Sequence, residues 1–324
     1  MIFRVLGFLF FFLSLVASAS QQFDIKSIDQ FEQIFVELTT NYKSDEILVV
    51  MDIDNTLVTM DGELGSDQWW NWQEAMVLGS EGDDYKQRHG AVALSFDGLL
   101  SVQGFLYDVL PMHAPEPKTI ELIRRLQDDG VMVIGLTSRG PEFKSPAFRE
   151  LYKAGYNLLR TASPIEERDY LSMMPYNVRE LQSKYGFTLR QIADYKLNKP
   201  RPAVYRDGVF FTSGQHKGAL LKIWMQDRQL SPKVVIFMDD QVKNTNRVWE
   251  AFTAQYGGEL FVPEVNTFRY GFLDKRVEAF NEISKQDVIQ LWERVYRPVF
   301  EQQLNIMKRN LTDEVYNFEA AVDF

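Results

Sequence analysis

The sequence predicts an α/β protein built on a doubly wound, Rossmann-like parallel sheet, and two observations carry that prediction. Three apolar runs bounded by turn signals, Ile47 to Met51, Val131 to Leu136 and Val234 to Met238, show no polar alternation, as strands buried on both faces do. Amphipathic stretches separate them: Ile120, Leu122, Ile123 and Leu126 before the second run, Phe148, Leu151 and Tyr152 after it, Leu220, Leu221 and Trp224 before the third, and Val248, Trp249 and Phe252 after it. Strand and helix signals in alternation describe βα units and a parallel sheet.

From the N-terminus, residues 1–20 read as an address rather than part of the fold. Arg4 supplies a short positive region, Val5 to Val16 is almost unbroken apolar chain, and Ala17-Ser18-Ala19 has the small-x-small form of a signal-peptidase site. That apolar stretch falls short of the ~20 residues a spanning helix needs. The expected product is therefore exported, periplasmic or secreted after cleavage near residue 19 or 20, with no stable membrane anchor.

The α/β core is expected over residues 21–274, with two interruptions. The first, about 58–112, is too long for a simple connection and predicts a helical cap insertion. It holds Trp69, Trp70 and Trp72, which either roof a site and stack on a leaving group or bury their area to hold the cap together. The second and smaller insertion, about 161–212, carries a hairpin at Ala203 to Thr212 with Asp207-Gly208 at its tip. Gly257-Gly258 is a plausible stop for the helix after the third strand. Residues 275–324 predict a helical C-terminal extension with Leu291, Val295, Tyr296, Val299, Phe300 and Leu304 on one stripe, packed on the core. A protein partner is the other use for such a stripe.

Composition limits the chemistry. The 324 residues contain no cysteine and three histidines without HExxH spacing, which removes thiol nucleophiles, cysteine-built zinc modules and iron–sulfur ligation, and disfavours a histidine-built zinc site. Forty-five acidic against 35 basic residues give a net charge of −10, so nucleic acid is not an expected partner. Carboxylates, hydroxyls and amines remain.

Those groups gather where a doubly wound sheet binds its ligands, beyond the carboxyl ends of the strands. The first strand runs into Asp52-Ile53-Asp54-Asn55-Thr56, and two carboxylates so close at a buried strand end call for a cation. Magnesium, which prefers oxygen ligands, suits them. The second strand ends in Thr137-Ser138-Arg139, where Arg139 either binds substrate or pairs with an acid. The third ends in the acidic pair Asp239-Asp240, with Asn244 one turn into the next helix. Lys217 opens the helix leading to that strand, where an ammonium opposes the helix dipole and so points to a functional reason.

In this order of motifs, Asp52-x-Asp54-x-Thr56, Thr137, Lys217 and Asp239-Asp240, the chain resembles the haloacid dehalogenase (HAD) superfamily of phosphohydrolases, in an exported bacterial branch. The resemblance runs from about Ile47 to Asn244 and implies a HAD-like catalytic domain. It further implies that Asp52 is a nucleophile forming an aspartyl-phosphate, and that Asp54 is the general acid and then the base. Mg²⁺ would be held by Asp52, the Asp54 backbone carbonyl and Asp239, with Asp240 behind them, while Thr137 and Lys217 hold the phosphoryl group. An acid at position 54 favours a phosphatase over a dehalogenase or a transport ATPase. The implied activity is hydrolysis of a small phosphomonoester; a HAD-fold binding or host-interaction protein is the alternative.

Overall fold

The computed structural model describes residues 20–164, 169, 171–253 and 263–307. Residues 1–19 of the expected leader, the Gly257-Gly258 stop and the last seventeen residues of the expected extension lie outside them. Among the described residues no helix is long and apolar enough to cross a membrane.

In chain order the elements are β1 (Gln21–Ile25), α1 (Ile28–Thr39), β2 (Ile47–Met51), β3 (Thr59–Met60), α2 (Asp67–Leu78), α3 (Asp83–Arg88), α4 (Phe96–Val109), β4 (Met112–His113), α5 (Lys118–Asp128), β5 (Met132–Thr137), α6 (Lys144–Ala154) and α7 (Leu189–Asp194). They continue through β6 (Val204–Arg206), β7 (Val209–Phe211), α8 (Lys217–Asp227), β8 (Val234–Asp239), α9 (Val242–Thr253), β9 (Glu264–Tyr270), α10 (Asp274–Glu282) and α11 (Gln286–Leu291), which passes through a π-turn at Trp292–Tyr296 into further helix. Seven strands form one sheet in the order β1-β9-β8-β2-β5-β7-β6, parallel except where β6 pairs antiparallel with β7 at the edge. The predicted α/β parallel sheet is therefore the observed fold class.

Side-chain alternation explains why the central strands carry no polar residues before their carboxyl ends. Along β2, Ile47, Val49 and Met51 face one apolar layer while Leu48 and Val50 face the other. The first layer is closed by Phe31 and Phe35 of α1, Leu122, Ile123 and Leu126 of α5, and Leu151 of α6. Leu220 and Ile223 of α8 with Val248 and Phe252 of α9 close the second.

Strands β1 and β9 extend the sheet beyond the three apolar runs and the hairpin read from the sequence. Their residues gave no apolar run because β9 buries Asn266 and Thr267 completely, and the Asn266 amide serves as an internal connector. It accepts from the backbone N–H of Gln21 at 3.0 Å and so docks β1.

Helices α2 and α4 build a third apolar cluster around Trp69, Leu99, Val102, Phe105 and Leu106. Trp69 is 1% exposed within it, Trp70 meets Phe96 edge-on and Trp72 meets Phe280 of α10 edge-on, so all three tryptophans pack the helices. The stripe expected on the C-terminal helix is split. Leu291, Val295 and Val299 are 42%, 50% and 45% exposed, whereas Trp292, Tyr296 and Phe300 pack against the third cluster rather than the sheet.

Candidate active site

Asp52 follows β2, Thr137 ends β5 and Asp239 ends β8, which puts three of the predicted residues at the carboxyl edge of adjacent parallel strands. The chain turns sharply after Asp54, where Asn55 adopts left-handed backbone at φ 56°, a conformation asparagine tolerates better than other side-chain-bearing residues. That turn presents the carboxylates of Asp52 and Asp54 from one loop.

Lys217, the first residue of α8, is 1% exposed and lies between two acids. Its Nζ donates to Asp52 Oδ1 at 2.5 Å and to Asp239 Oδ2 at 2.7 Å. Burial alone would lower the Lys217 pKa, but the charges of Asp239 and Asp52 outweigh it and raise it above the usual lysine range. Burial and the facing carboxylate of Asp239 push Asp52 well above the usual carboxylate range, against the pull of Lys217. Position 217 is held by its neighbours. His216 caps α8 through Nδ1, which accepts from Ala219 N at 3.1 Å, and its ring stacks on Tyr195. The preceding loop is pinned to the second motif, since Gly214 N donates to Ser138 O at 2.7 Å and Ser213 N to Arg139 O at 3.1 Å.

The two acids after β8 differ in how far their oxygens are used. Asp239 is completely buried; beside its bond to Lys217, it accepts from Gln241 N at 2.8 Å and Asn244 Nδ2 at 3.1 Å. Asp240 Oδ2 has only a long contact of 3.5 Å from Asn55 Nδ2, and Asp240 Oδ1 is buried without a hydrogen-bond partner. Burial first, and then the carboxylate of Asp67, push Asp240 well above the usual range. Asp52, Asp239 and Asp240 each offer one oxygen within 4.8 Å of the others. A divalent cation fits this oxygen-only set, and the orphaned Asp240 oxygen supplies the independent sign of it.

Arg139 pairs with an acid. Its Nε donates to Asp54 Oδ2 at 2.9 Å and its Nη2 to Asp54 Oδ1 at 2.6 Å, while the guanidinium lies 3.8 Å over the Tyr107 ring. A carboxylate has about four lone-pair sites, so this fork leaves Asp54 able to accept or pass a proton on its outer side. Arg139 Nη1 is buried without a partner. Thr137 Oγ1 accepts from Arg139 N at 3.1 Å, which leaves its own hydroxyl proton to donate.

The structure thus brings Asp52, Lys217, Asp239 and Asp240 together directly, and ties Asp54 and Thr137 to one another through Arg139. Sequence reasoning missed Asn55 as a partner of Asp240, and missed Asp67. Asp67 opens α2 and accepts from Gln241 Nε2 at 2.8 Å; burial and the Asp54 charge push its pKa up to about 6. An acid in the first turn of a helix is an ordinary complement to the helix dipole, so position 67 carried no signal of its own.

Comparison with known proteins gives three results. No match is found among curated proteins. A HAD family enzyme of Bacteroides thetaiotaomicron, solved with magnesium and inorganic phosphate, is similar at 14% identity, covering 66% of this chain and 96% of that one with a TM-score of 0.31; its magnesium complex is similar at 14% identity, covering 65% and 94%, with a TM-score of 0.30. Residues 27–295 match the family described as "Protein of unknown function (DUF2608)", and the chain belongs to that family.

Proposed function

We propose that this protein is an exported, Mg²⁺-dependent phosphomonoesterase of the HAD type. The observation that carries the reading is the buried Lys217 bridging Asp52 and Asp239 beside the partnerless oxygen of Asp240. A site of this kind costs stability unless a cation and an anionic ligand complete it. Asp52, the Asp54 backbone carbonyl and Asp240 would hold Mg²⁺; Asp239, whose oxygens already serve Lys217, Gln241 and Asn244, stands behind them. This reverses the order expected for the acidic pair. When bound, Mg²⁺ supplies positive charge against the carboxylates and the transferring phosphoryl oxygens.

The protein's own groups carry the proton and phosphoryl chemistry. Lys217 orients Asp52 through Oδ1, leaving its other oxygen to attack phosphorus as the bond to the leaving oxygen breaks. Asp54, as general acid, gives that oxygen a proton; as base it then takes one from the water that cleaves the aspartyl-phosphate and releases inorganic phosphate. Thr137 and the spare Arg139 Nη1 donate to phosphoryl oxygens. The helices α2 and α4 act as the cap, and export rests on the sequence of the first twenty residues.

The test is a panel of small phosphomonoesters with the purified mature chain, with Mg²⁺ and with EDTA. Release of phosphate only with Mg²⁺, abolished by Asp52→Asn, is the expected result. No release from any ester, or release unchanged in Asp52→Asn, sinks the reading.

A further inference from the structure

The C-terminal extension reaches the acidic site through one residue. Arg276 lies on α10, and Phe280, four residues further along the same helix, meets Trp72 of α2 edge-on at 6.3 Å. Positions four apart share a helix face, so the packing that docks α10 also turns Arg276 toward the loop between β3 and α2. There its guanidinium is nearly saturated: Nε donates to Glu63 Oε1 at 2.7 Å, Nη1 to Met60 O at 2.9 Å and Thr59 Oγ1 at 3.4 Å, and Nη2 to Gly62 O at 2.8 Å.

Two of these acceptors lead to the same asparagine. Glu63 Oε2 accepts from Gln68 Nε2 at 2.5 Å, and Gln68 Oε1 accepts from Asn55 Nδ2 at 3.4 Å. On the other side, Thr59 Oγ1 donates to Asn55 Oδ1 at 2.9 Å. The result is a closed ring, Arg276, Glu63, Gln68, Asn55, Thr59 and back to Arg276, in which every donor is matched to an acceptor. Thr59, Asn55 and Gln68 are each 3% exposed, so the ring lies under the surface with only the Arg276–Glu63 pair at its edge. Asn55 is the residue that holds left-handed backbone immediately after Asp54 and turns its amide toward Asp240 Oδ2.

We propose that Arg276 is a positioning residue for the acidic site, setting the orientation of Asp240 and the turn after Asp54 by closing this ring. The inference rests on the assignment of Asp240 as a cation ligand, and it gives the extension a role: the site is completed by a helix from outside the sheet. A lysine cannot replace the arginine, because one ammonium cannot span Glu63, Thr59 and two carbonyls from a single planar fork.

The experiment measures Mg²⁺ affinity by calorimetry on the full chain, alongside unfolding midpoints in EDTA, for wild type, Arg276→Gln, Arg276→Lys, Glu63→Gln, Asp240→Asn and the control Arg297→Gln, which breaks only exposed pairs on the same tail. Asp240→Asn should abolish binding. Arg276→Gln, Arg276→Lys and Glu63→Gln should each weaken it by roughly ten-fold, as outer partners of ligands do, and Arg297→Gln should leave it unchanged. If Asp240→Asn abolishes binding but the ring variants bind as wild type does, whatever their midpoints, Arg276 is only structural and the inference is overturned. If Asp240→Asn binds as wild type, the metal assignment itself fails and takes the ring's role with it. Should the Arg276 variants fail to fold, Glu63→Gln alone decides, since it keeps the side-chain shape while removing the charge of the pair and one of the two acceptor oxygens the ring uses.

Discussion

Lys217 Nζ reaches Asp52 Oδ1 at 2.5 Å across 165 positions of sequence, with neither side chain more than 7% exposed. A buried ammonium shared by two carboxylates contributes by compensating them, and its loss would leave both without a counter-charge. Lys217→Met should therefore lower stability by about 3–5 kcal/mol in EDTA, with Mg²⁺ restoring part of the loss by taking over some of the compensation. Denaturant unfolding with and without Mg²⁺ checks this. An unchanged midpoint in EDTA contradicts the pairing.

Asp239 and Asp240 are adjacent in sequence but predict opposite phenotypes. Asp239→Asn removes the charge that faces Lys217 and should destabilise the chain by roughly 1–3 kcal/mol, the cost of a broken buried hydrogen bond to a charged group. Asp240→Asn should leave the midpoint in EDTA unchanged or higher, because the carboxyl it removes is held well above its usual pKa by burial and by Asp67. The same substitution should remove Mg²⁺ binding. Loss of the metal in Asp239→Asn with retention in Asp240→Asn would restore the order first expected from the sequence.

His216 supplies a pH signature that does not involve the metal. Burial, and then the nearby charge of Arg247, bring its pKa down from 6.5 to about 3. Because the folded value lies below the unfolded one, protonation favours unfolding. The stability held by neutral His216 is complete above pH 6.5 and is lost as the pH falls toward about 3, at up to ~1.4 kcal/mol per pH unit for one proton. His216→Asn keeps a side chain able to cap α8 but cannot take the proton. Urea unfolding across this range should give a slope shallower by about one proton for the variant; an identical slope would mean that His216 is not the titrating group.

How much of this was legible in the chain depends on what each residue faces. The central strands were legible because burial on both faces leaves an apolar run, as in Val234 to Phe237, none of them exposed. The outer strand β9 was not, because its buried Asn266 and Thr267 are polar and read locally as loop, Asn266 finding a partner for its amide in the backbone of β1. Asp52, Asp54, Thr137, Lys217, Asp239 and Asp240 were legible because each sits at a strand end or helix start, where residue type and position coincide. Asn55, Glu63, Gln68 and Arg276 were not legible as partners. Their hydrogen bonds join the turn after β2, the start of α2 and α10, and ordinary polar residues so far apart in sequence give no local pattern. Arg139, left between substrate and acid by the sequence, is paired with Asp54 by a two-bond fork.

Gly218 gives the last prediction. It is the second residue of α8, directly after Lys217, and a Cβ there would lie 2.2 Å from the Arg247 carbonyl oxygen and 2.8 Å from Ala251 Cβ, both on α9. The obstacle is mainly helix backbone, which cannot rotate away, so Gly218→Ala must push α8 off α9 or tilt its first turn. Either movement displaces Lys217 from two acids it meets at 2.5 and 2.7 Å. Alanine normally stabilises a helix interior over glycine by about 1 kcal/mol, but overpacking here should outweigh that gain and destabilise the chain by roughly 1–3 kcal/mol. Any ester hydrolysis should fall with it even at temperatures where the variant remains folded. A variant as stable and active as the wild type would show that the two helices are not in close contact at this point.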